Sequence, residues 1–230
     1  MKCVILQPSY IPWRGYFHQI LKADIFVFFD DVQYDKRGWR NRNKIKTSNG
    51  SQWLTIPVKA KGAQVNSLKI KDIKISNEIN WKKDHLKTIK QSYAKAPFFE
   101  LYFPPIEELI NKEYDHLSDL TIDLTIKIAE LMNFPATTFL KSSELCASGQ
   151  KTDRLLSILK AVGSNHYISG PAAKEYIDPL KFSENKILLE YMLYDFPDYE
   201  QLYPPFEPFV SILDLLFMKG DKSLAYIRDK

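Results

Sequence analysis

The chain has 230 residues, 45% apolar and 26% charged, with 32 basic and 28 acidic side chains for a net charge of +4. That is the make-up of an ordinary soluble protein with a real core, built as one large domain or two small ones. So mild a charge does not resemble that of a dedicated nucleic-acid binder, and the local placement of charge matters more than its sum.

Val4-Ile5-Leu6 reads as a short buried strand stopped at Pro8. Pro12 and Gly15 shape the next loop, and Arg14 to Lys22 has helical spacing with Phe17, Ile20 and Leu21 on one face. Ile25 to Phe29 is a continuous apolar run, the pattern of a strand covered on both faces. Strand, helix and strand make a βαβ unit. Arg40–Lys46 and Gln52–Val58 flank Ser48-Asn49-Gly50, a hairpin signal. Leu68 to Ile75 alternates like a further strand. Helices are predicted over Asn80–Tyr93, over Phe98–Lys112 with Pro104-Pro105 interrupting it, and over His116–Met132 with a stripe of Leu117, Leu120, Leu124, Ile128 and Leu131. The α/β rhythm then returns: strands at Thr137–Leu140, His166–Ile168 and Ile187–Tyr191, and helices at Lys151–Val162 and Phe209–Lys219. The expected fold is a single α/β domain over residues 1–230. It has a Rossmann-like, mostly parallel sheet, an inserted hairpin and a central helical insertion around 78–133.

Cys3 and Cys146 read as buried small apolar residues in a reducing compartment. No C-x-x-C or H-E-x-x-H spacing occurs, so no metal site is expected. The first residues run into Gln7-Pro8 before a signal sequence can form, and no apolar stretch reaches membrane-spanning length. These features predict a cytoplasmic protein without membrane insertion.

Polar and aromatic residues crowd the two loops that follow the first strands, and parallel strands deliver such loops to one edge of the sheet, where ligands bind. Gln7, Tyr10, Trp13, Tyr16 and His18 belong to the first loop and helix, and Asp30, Asp31, Gln33 and Tyr34 to the second. His18 is a candidate general base or a structural histidine of an amphipathic helix. Asp30 and Asp31 suit a proton acceptor or a backbone cap, and only one of two neighbours on a strand faces a cleft. Lys36 to Lys46 holds six cations within eleven residues, with Trp39 interleaved. Arg37, Arg42, Lys44 and Lys46 are candidate phosphate ligands or members of a solvated face. Trp39 and Tyr34 suit stacking on a base or sugar, or packing. Ser169-Gly170 follows a strand and offers amides to an anion.

These residues resemble the WbqC-like family, named from bacterial O-antigen gene clusters. The resemblance covers nearly the whole chain. It rests on Gln7-Pro8-x-Tyr10-x-Pro12-Trp13-x-Gly15-Tyr16-Phe17, Asp30-Asp31-Val32-Gln33-Tyr34, Asn41-Arg42-Asn43-Lys44-Ile45-Lys46 and Trp53-Leu54-Thr55-Ile56-Pro57-Val58. His85, Tyr93-Ala94-Lys95-Ala96-Pro97, Tyr167-Ile168-Ser169-Gly170 and Ser211-Ile212-Leu213-Asp214-Leu215-Leu216-Phe217 extend it. It implies surface-polysaccharide biosynthesis, with glycine transfer to an amino sugar proposed for some members. Three positions depart from the family pattern: Leu6 stands where a His is usual, Phe196 where a His-Pro-x-Tyr element begins, and Met218 where an Asn is usual. The strand–loop–helix start also resembles adenylate-forming nucleotidylyltransferases, with Trp13-Arg14-Gly15-Tyr16 in place of their His-x-Gly-His.

The expectation is therefore an acyltransferase, glycyl transfer by resemblance, that forms an amide on the amino group of a nucleotide-linked deoxy sugar. In this reading His18, Asp30, Asp31 and Gln7 serve the chemistry, and the basic strand holds the diphosphate. The acyl donor is left open between an aminoacyl-tRNA, a thioester and an ATP-derived adenylate, and homo-oligomerisation is left open too. The alternatives are an ATP-dependent amide synthetase and a non-catalytic nucleotide-sugar-binding module.

Overall fold

The β-branched and aromatic runs near the N-terminus form two neighbouring strands, β1 (Lys2–Leu6) and β2 (Ile25–Phe28), joined by helix α1 (Arg14–Lys22). This computed structural model describes residues 1–61, 63 and 67–228. Side chains alternate across the strands. Val4, Phe26 and Phe28 enter one apolar cluster with α1, while Cys3, Ile5 and Val27 enter another. This two-sided burial explains the lack of polar residues in β2.

The hairpin follows as β3 (Arg42–Thr47) and β4 (Gly50–Thr55), closed where Gly50 takes a φ of +98°. The stretch 68–75 forms no strand. It is a short 3-10 turn at Ile70–Asp72 with isolated bridges from Lys69 to Gln33, Lys74 to His116 and Ile75 to Val58. Alternation there reflects side chains buried from an irregular segment, with Ile70, Ile73 and Ile75 inside.

Helices α2 (Trp81–Tyr93), α3 (Phe99–Asn111) and α4 (Leu117–Leu131) come next. Pro104 and Pro105 do not interrupt α3. Their missing amides free the carbonyls of Glu100 and Leu101, which lie on the exposed face opposite buried Tyr102, Phe103, Ile106 and Ile110. Water can satisfy those carbonyls. The three helices share one apolar cluster with α1 and with α7 (Ile212–Lys219).

Strand β5 (Thr138–Lys141), helix α5 (Lys151–Ala161), strand β6 (His166–Ser169), the short helix α6 (Pro179–Glu184) and strand β7 (Leu188–Tyr191) complete the order. The five-stranded sheet runs β5-β2-β1-β6-β7, and all of its pairs are parallel. This is the Rossmann-like α/β arrangement. The order reverses between β1 and β6, so the crevice beyond their carboxyl ends is the place for a ligand. Helix α5 covers the second face through Leu155, Leu156, Ile158 and Leu159. Both cysteines are free thiols. Cys3 is buried in the sheet as expected, which pushes its thiol up to about 12, whereas Cys146 is exposed rather than buried, because it lies in the surface loop between β5 and α5. Among the described residues, no helix is long and apolar enough to cross a membrane.

Candidate functional site

A cavity of about 1140 Å³ opens at the carboxyl edge of the sheet. Four parts of the chain wall it. Leu6, Gln7 and Ser9 follow β1, and Asp31, Val32 and Gln33 follow β2. Gly149, Gln150 and Lys151 lead into α5, which adds Arg154. Tyr16, Arg40, Lys69, Tyr167 and Tyr176 close the sides. Four cations and one carboxylate therefore line it, a balance that favours an anionic ligand.

The β5–α5 loop has the geometry of an anion cradle. Gly149 has a φ of +92°, and a Cβ there would sit 3.2 Å from the Asp153 backbone and 3.3 Å from the Arg154 nitrogen. Glycine leaves that space open above the first turn of α5. Gln150, the N-cap residue, makes no side-chain cap, so the first helical amides are left for water or a ligand.

The two carboxylates that end β2 separate. Asp30 is 2% exposed and spent: it accepts from Ser142 Oγ (3.0 Å), Ser143 N (3.0 Å) and Ser143 Oγ (2.7 Å), tying β2 to the end of β5. Asp31 faces the cavity, accepts from Ser142 Oγ at 2.6 Å and pairs with Arg154. Arg154 also donates to the Ala147 carbonyl.

On the β1 side, the Gln7 backbone carbonyl accepts from Arg40 Nη1 (3.1 Å), Tyr16 OH (3.2 Å) and Ser9 Oγ (3.4 Å). Burial holds the Arg40 guanidinium below its usual range and the Tyr16 phenol above its own. The Gln7 side-chain amide carries no protein hydrogen bond among the described residues and is open to the cavity.

Other predicted residues lie elsewhere. His18 is 2% exposed on α1, edge-on to Phe196 at 5.4 Å. Tyr10 turns into the core, where its hydroxyl meets His85 Nδ1 at 3.0 Å. Tyr34 is buried beside the 68–70 segment, its amide on the Leu68 carbonyl. Ser169 is buried under the β6–β7 connection, its carbonyl bonded by Met192, and Gly170 packs near Tyr194. The basic strand also points away from the cavity. The Arg42 guanidinium lies 4.6 Å and the Lys44 ammonium 5.2 Å from the Trp53 ring. Lys46 is buried with Nζ on the Pro205 carbonyl at 2.6 Å, and Arg37 is exposed beside Asp35. Trp13 and Trp39 line a second cavity of about 340 Å³, which shares Ser9, Tyr16 and Arg40 with the first.

Sequence reasoning missed Lys69, Lys151 and Arg154. The signal lay in Ser148-Gly149-Gln150-Lys151-Thr152, a small-residue turn entering a helix after a strand. Among the described residues, no cluster of three or more His, Cys, Asp or Glu is placed to hold a metal ion.

The profile of the WbqC-like protein family matches residues 7–226, every element of the fold after β1. The chain belongs to the WbqC-like family. One relative is the uncharacterized protein Rv1507c of Mycobacterium tuberculosis (strain ATCC 25618 / H37Rv). It is 39% identical over 231 residues, covering 99% of this chain and 97% of that protein. No solved structure matches this WbqC-like chain. Leu6 stands in the cavity wall, so this chain presents a hydrocarbon there. Phe196 lies off the cavity, 4.8 Å from the Arg14 guanidinium. Met218 lies in the last turn of α7 at 8% exposure.

Proposed function

We propose that this WbqC-like protein is an acyltransferase of surface-polysaccharide biosynthesis, forming an amide on the amino group of a nucleotide-linked deoxy sugar. The observation that carries this reading is the cavity at the strand-order reversal, where four cations and the open amide end of α5 surround a single carboxylate. A diphosphate suits Lys151, Arg154 and the α5 amides. Asp31 suits the sugar ammonium.

The reaction joins the amine nitrogen to the carbonyl carbon of an activated acyl compound. The new C–N bond forms, the tetrahedral oxyanion collapses, and the bond to the leaving group breaks. Asp31 takes the amine proton. The Gln7 amide suits donation to the oxyanion, and holding both substrates at one edge contributes the larger share of the rate. A diphosphate drawing Arg154 toward α5 releases Asp31 for that role, so binding the nucleotide prepares the base.

The pairing of Asp31 with Arg154 also supports a second reading, a nucleotide-sugar-binding module without turnover. One experiment separates the two. A UDP-linked 4-amino-4,6-dideoxy sugar is incubated with the protein and an acyl thioester, and the product is weighed by mass spectrometry. Amide formation supports the transferase. Saturable binding in calorimetry without product supports the module, and neither binding nor product overturns both.

A further inference from the structure

Ser9, Tyr16 and Arg40 form the wall between the two cavities, and all three donate to the same Gln7 carbonyl. A carbonyl oxygen has two lone pairs, so three donors overfill it. At least one is held ready for a different acceptor. Among the described residues, Arg40 Nη2 has no hydrogen-bond partner at all.

The smaller cavity beyond that wall is aromatic. Trp13 and Trp39 are its broad faces, and Phe209 and Pro12 close it. Both indoles are held in place. Trp13 folds over Gly15, where a Cβ would stand 2.2 Å from its ring, and packs 5.1 Å from Tyr194. Trp39 lies 5.2 Å from Trp53, which is backed in turn by Arg42. Polar capacity is scarce. The Asn43 side chain is spent on the Tyr10 and Ile11 carbonyls and on the Lys44 amide. No carboxylate lines the slot and the Arg40 guanidinium stands in its wall, so an ammonium meets a like charge there and a polyol finds few partners. What fits is an apolar group ending in an oxygen acceptor.

We infer that the aromatic slot is the acyl subsite. It takes a branched aliphatic or aromatic acyl group larger than glycine, with the carbonyl or carboxylate oxygen on the donors that Arg40, Tyr16 and Ser9 present. This rests on the acyl-transfer reading, which supplies the amine from the larger cavity. The reacting carbon then sits at the shared wall, between the slot and Asp31. A glycyl unit would bring an ammonium to a place with no anion to meet it.

Free acids are the probes: benzoate, isovalerate and glycine, titrated against intrinsic tryptophan fluorescence and in calorimetry, with UDP run in parallel. Benzoate and isovalerate are expected to saturate, while glycine does not at the same concentrations. Trp39→Ala and Phe209→Ala change half-exposed side chains of the slot. Each is expected to weaken benzoate about tenfold and to leave UDP affinity within about twofold. Arg40→Lys, which loses the planar donor fork, is expected to weaken benzoate as well. Glycine binding as tightly as benzoate, or unchanged benzoate affinity in both aromatic variants, overturns the subsite. UDP binding without benzoate binding removes the subsite and leaves the nucleotide reading standing. Benzoate binding without UDP binding does the reverse.

Discussion

Asp31 at the end of β2 and Arg154 on α5, 123 residues apart in the chain, form an ion pair in the wall of the large cavity. Its neighbour Asp30 makes no such contact and is used up by two serines of the β5 end. Adjacent acidic residues thus do different work.

Substitution should separate them. Asp31→Asn is expected to lower turnover about 100-fold or more with a smaller fall in melting temperature than Asp30→Asn, because Asn keeps the side chain's place in the cavity wall and Arg154 keeps the Ala147 carbonyl. Asp30→Asn is expected to do the opposite and cost about 1–3 kcal/mol of stability, since three donors lose a charged acceptor. Thermal melts and steady-state rates of both variants check this. Equal behaviour of the two would refute the assignment.

Phosphate affinity should follow the α5 entry. Lys151→Ala and Arg154→Ala are each expected to weaken UDP binding about tenfold, with the loss shrinking as salt is added. Arg42→Ala with Lys44→Ala is expected to leave UDP affinity within about twofold, since both cations lie over Trp53. Calorimetry at two salt concentrations gives the answer, and the reverse ranking would move the phosphate to the basic strand.

His85 should make the fold acid-sensitive. Burial, its largest influence, lowers this imidazole from 6.5 to about 4, and it remains a neutral partner of the Tyr10 hydroxyl. Between those values the unfolded chain binds a proton that the native chain does not. The contribution is therefore complete above 6.5, is lost as the pH falls toward 4, and changes no further below that. The loss totals on the order of 3 kcal/mol. Urea denaturation at pH 7 and pH 4.5 should show it, and His85→Gln should flatten the slope. An unchanged slope in that variant would assign the acid sensitivity to other groups.

Asn43 should matter for stability out of proportion to its size. Ile11 is held at a φ of +36°, a left-handed conformation that a β-branched residue resists. The Asn43 amide clamps the strained turn by donating to the Tyr10 and Ile11 carbonyls at 3.1 and 2.8 Å. Asn43→Ala is expected to cost about 2–3 kcal/mol, measured by denaturant titration. Asn43→Asp, which keeps the shape and loses the donors, should cost as much. A loss below about 0.5 kcal/mol in both would mean that the turn holds itself.

Much of the scaffold was legible in the chain. The apolar run of β2, the stripe of α4 and the Asn-Gly turn each report a local period or a local φ requirement, and such requirements are met by neighbours in sequence. Local readings failed where burial came from elsewhere. Residues 68–75 alternate without a strand partner, and Pro104-Pro105 are tolerated because α3 turns their face to water. The site was half legible. Gln7, Asp31 and Gln33 reach the large cavity from the expected strand ends, and Tyr16 reaches it from α1.

The order of strands and helices, and the sheet edge that carries the site, followed from the sequence, because parallel βαβ units place their carboxyl ends together whatever else the chain does. Which charges reach that edge was decided by the tertiary structure. Strand β3 is a dense cationic run, yet it pairs in the separate hairpin, where Trp53 covers two of its charges and the interior takes Lys46. Lys151 and Arg154, which do line the large cavity, come instead from α5, because β5 pairs with β2 and sets the start of that helix above the cavity. Side-chain type states what a residue can bind. Only the packing of distant segments states what it is able to touch.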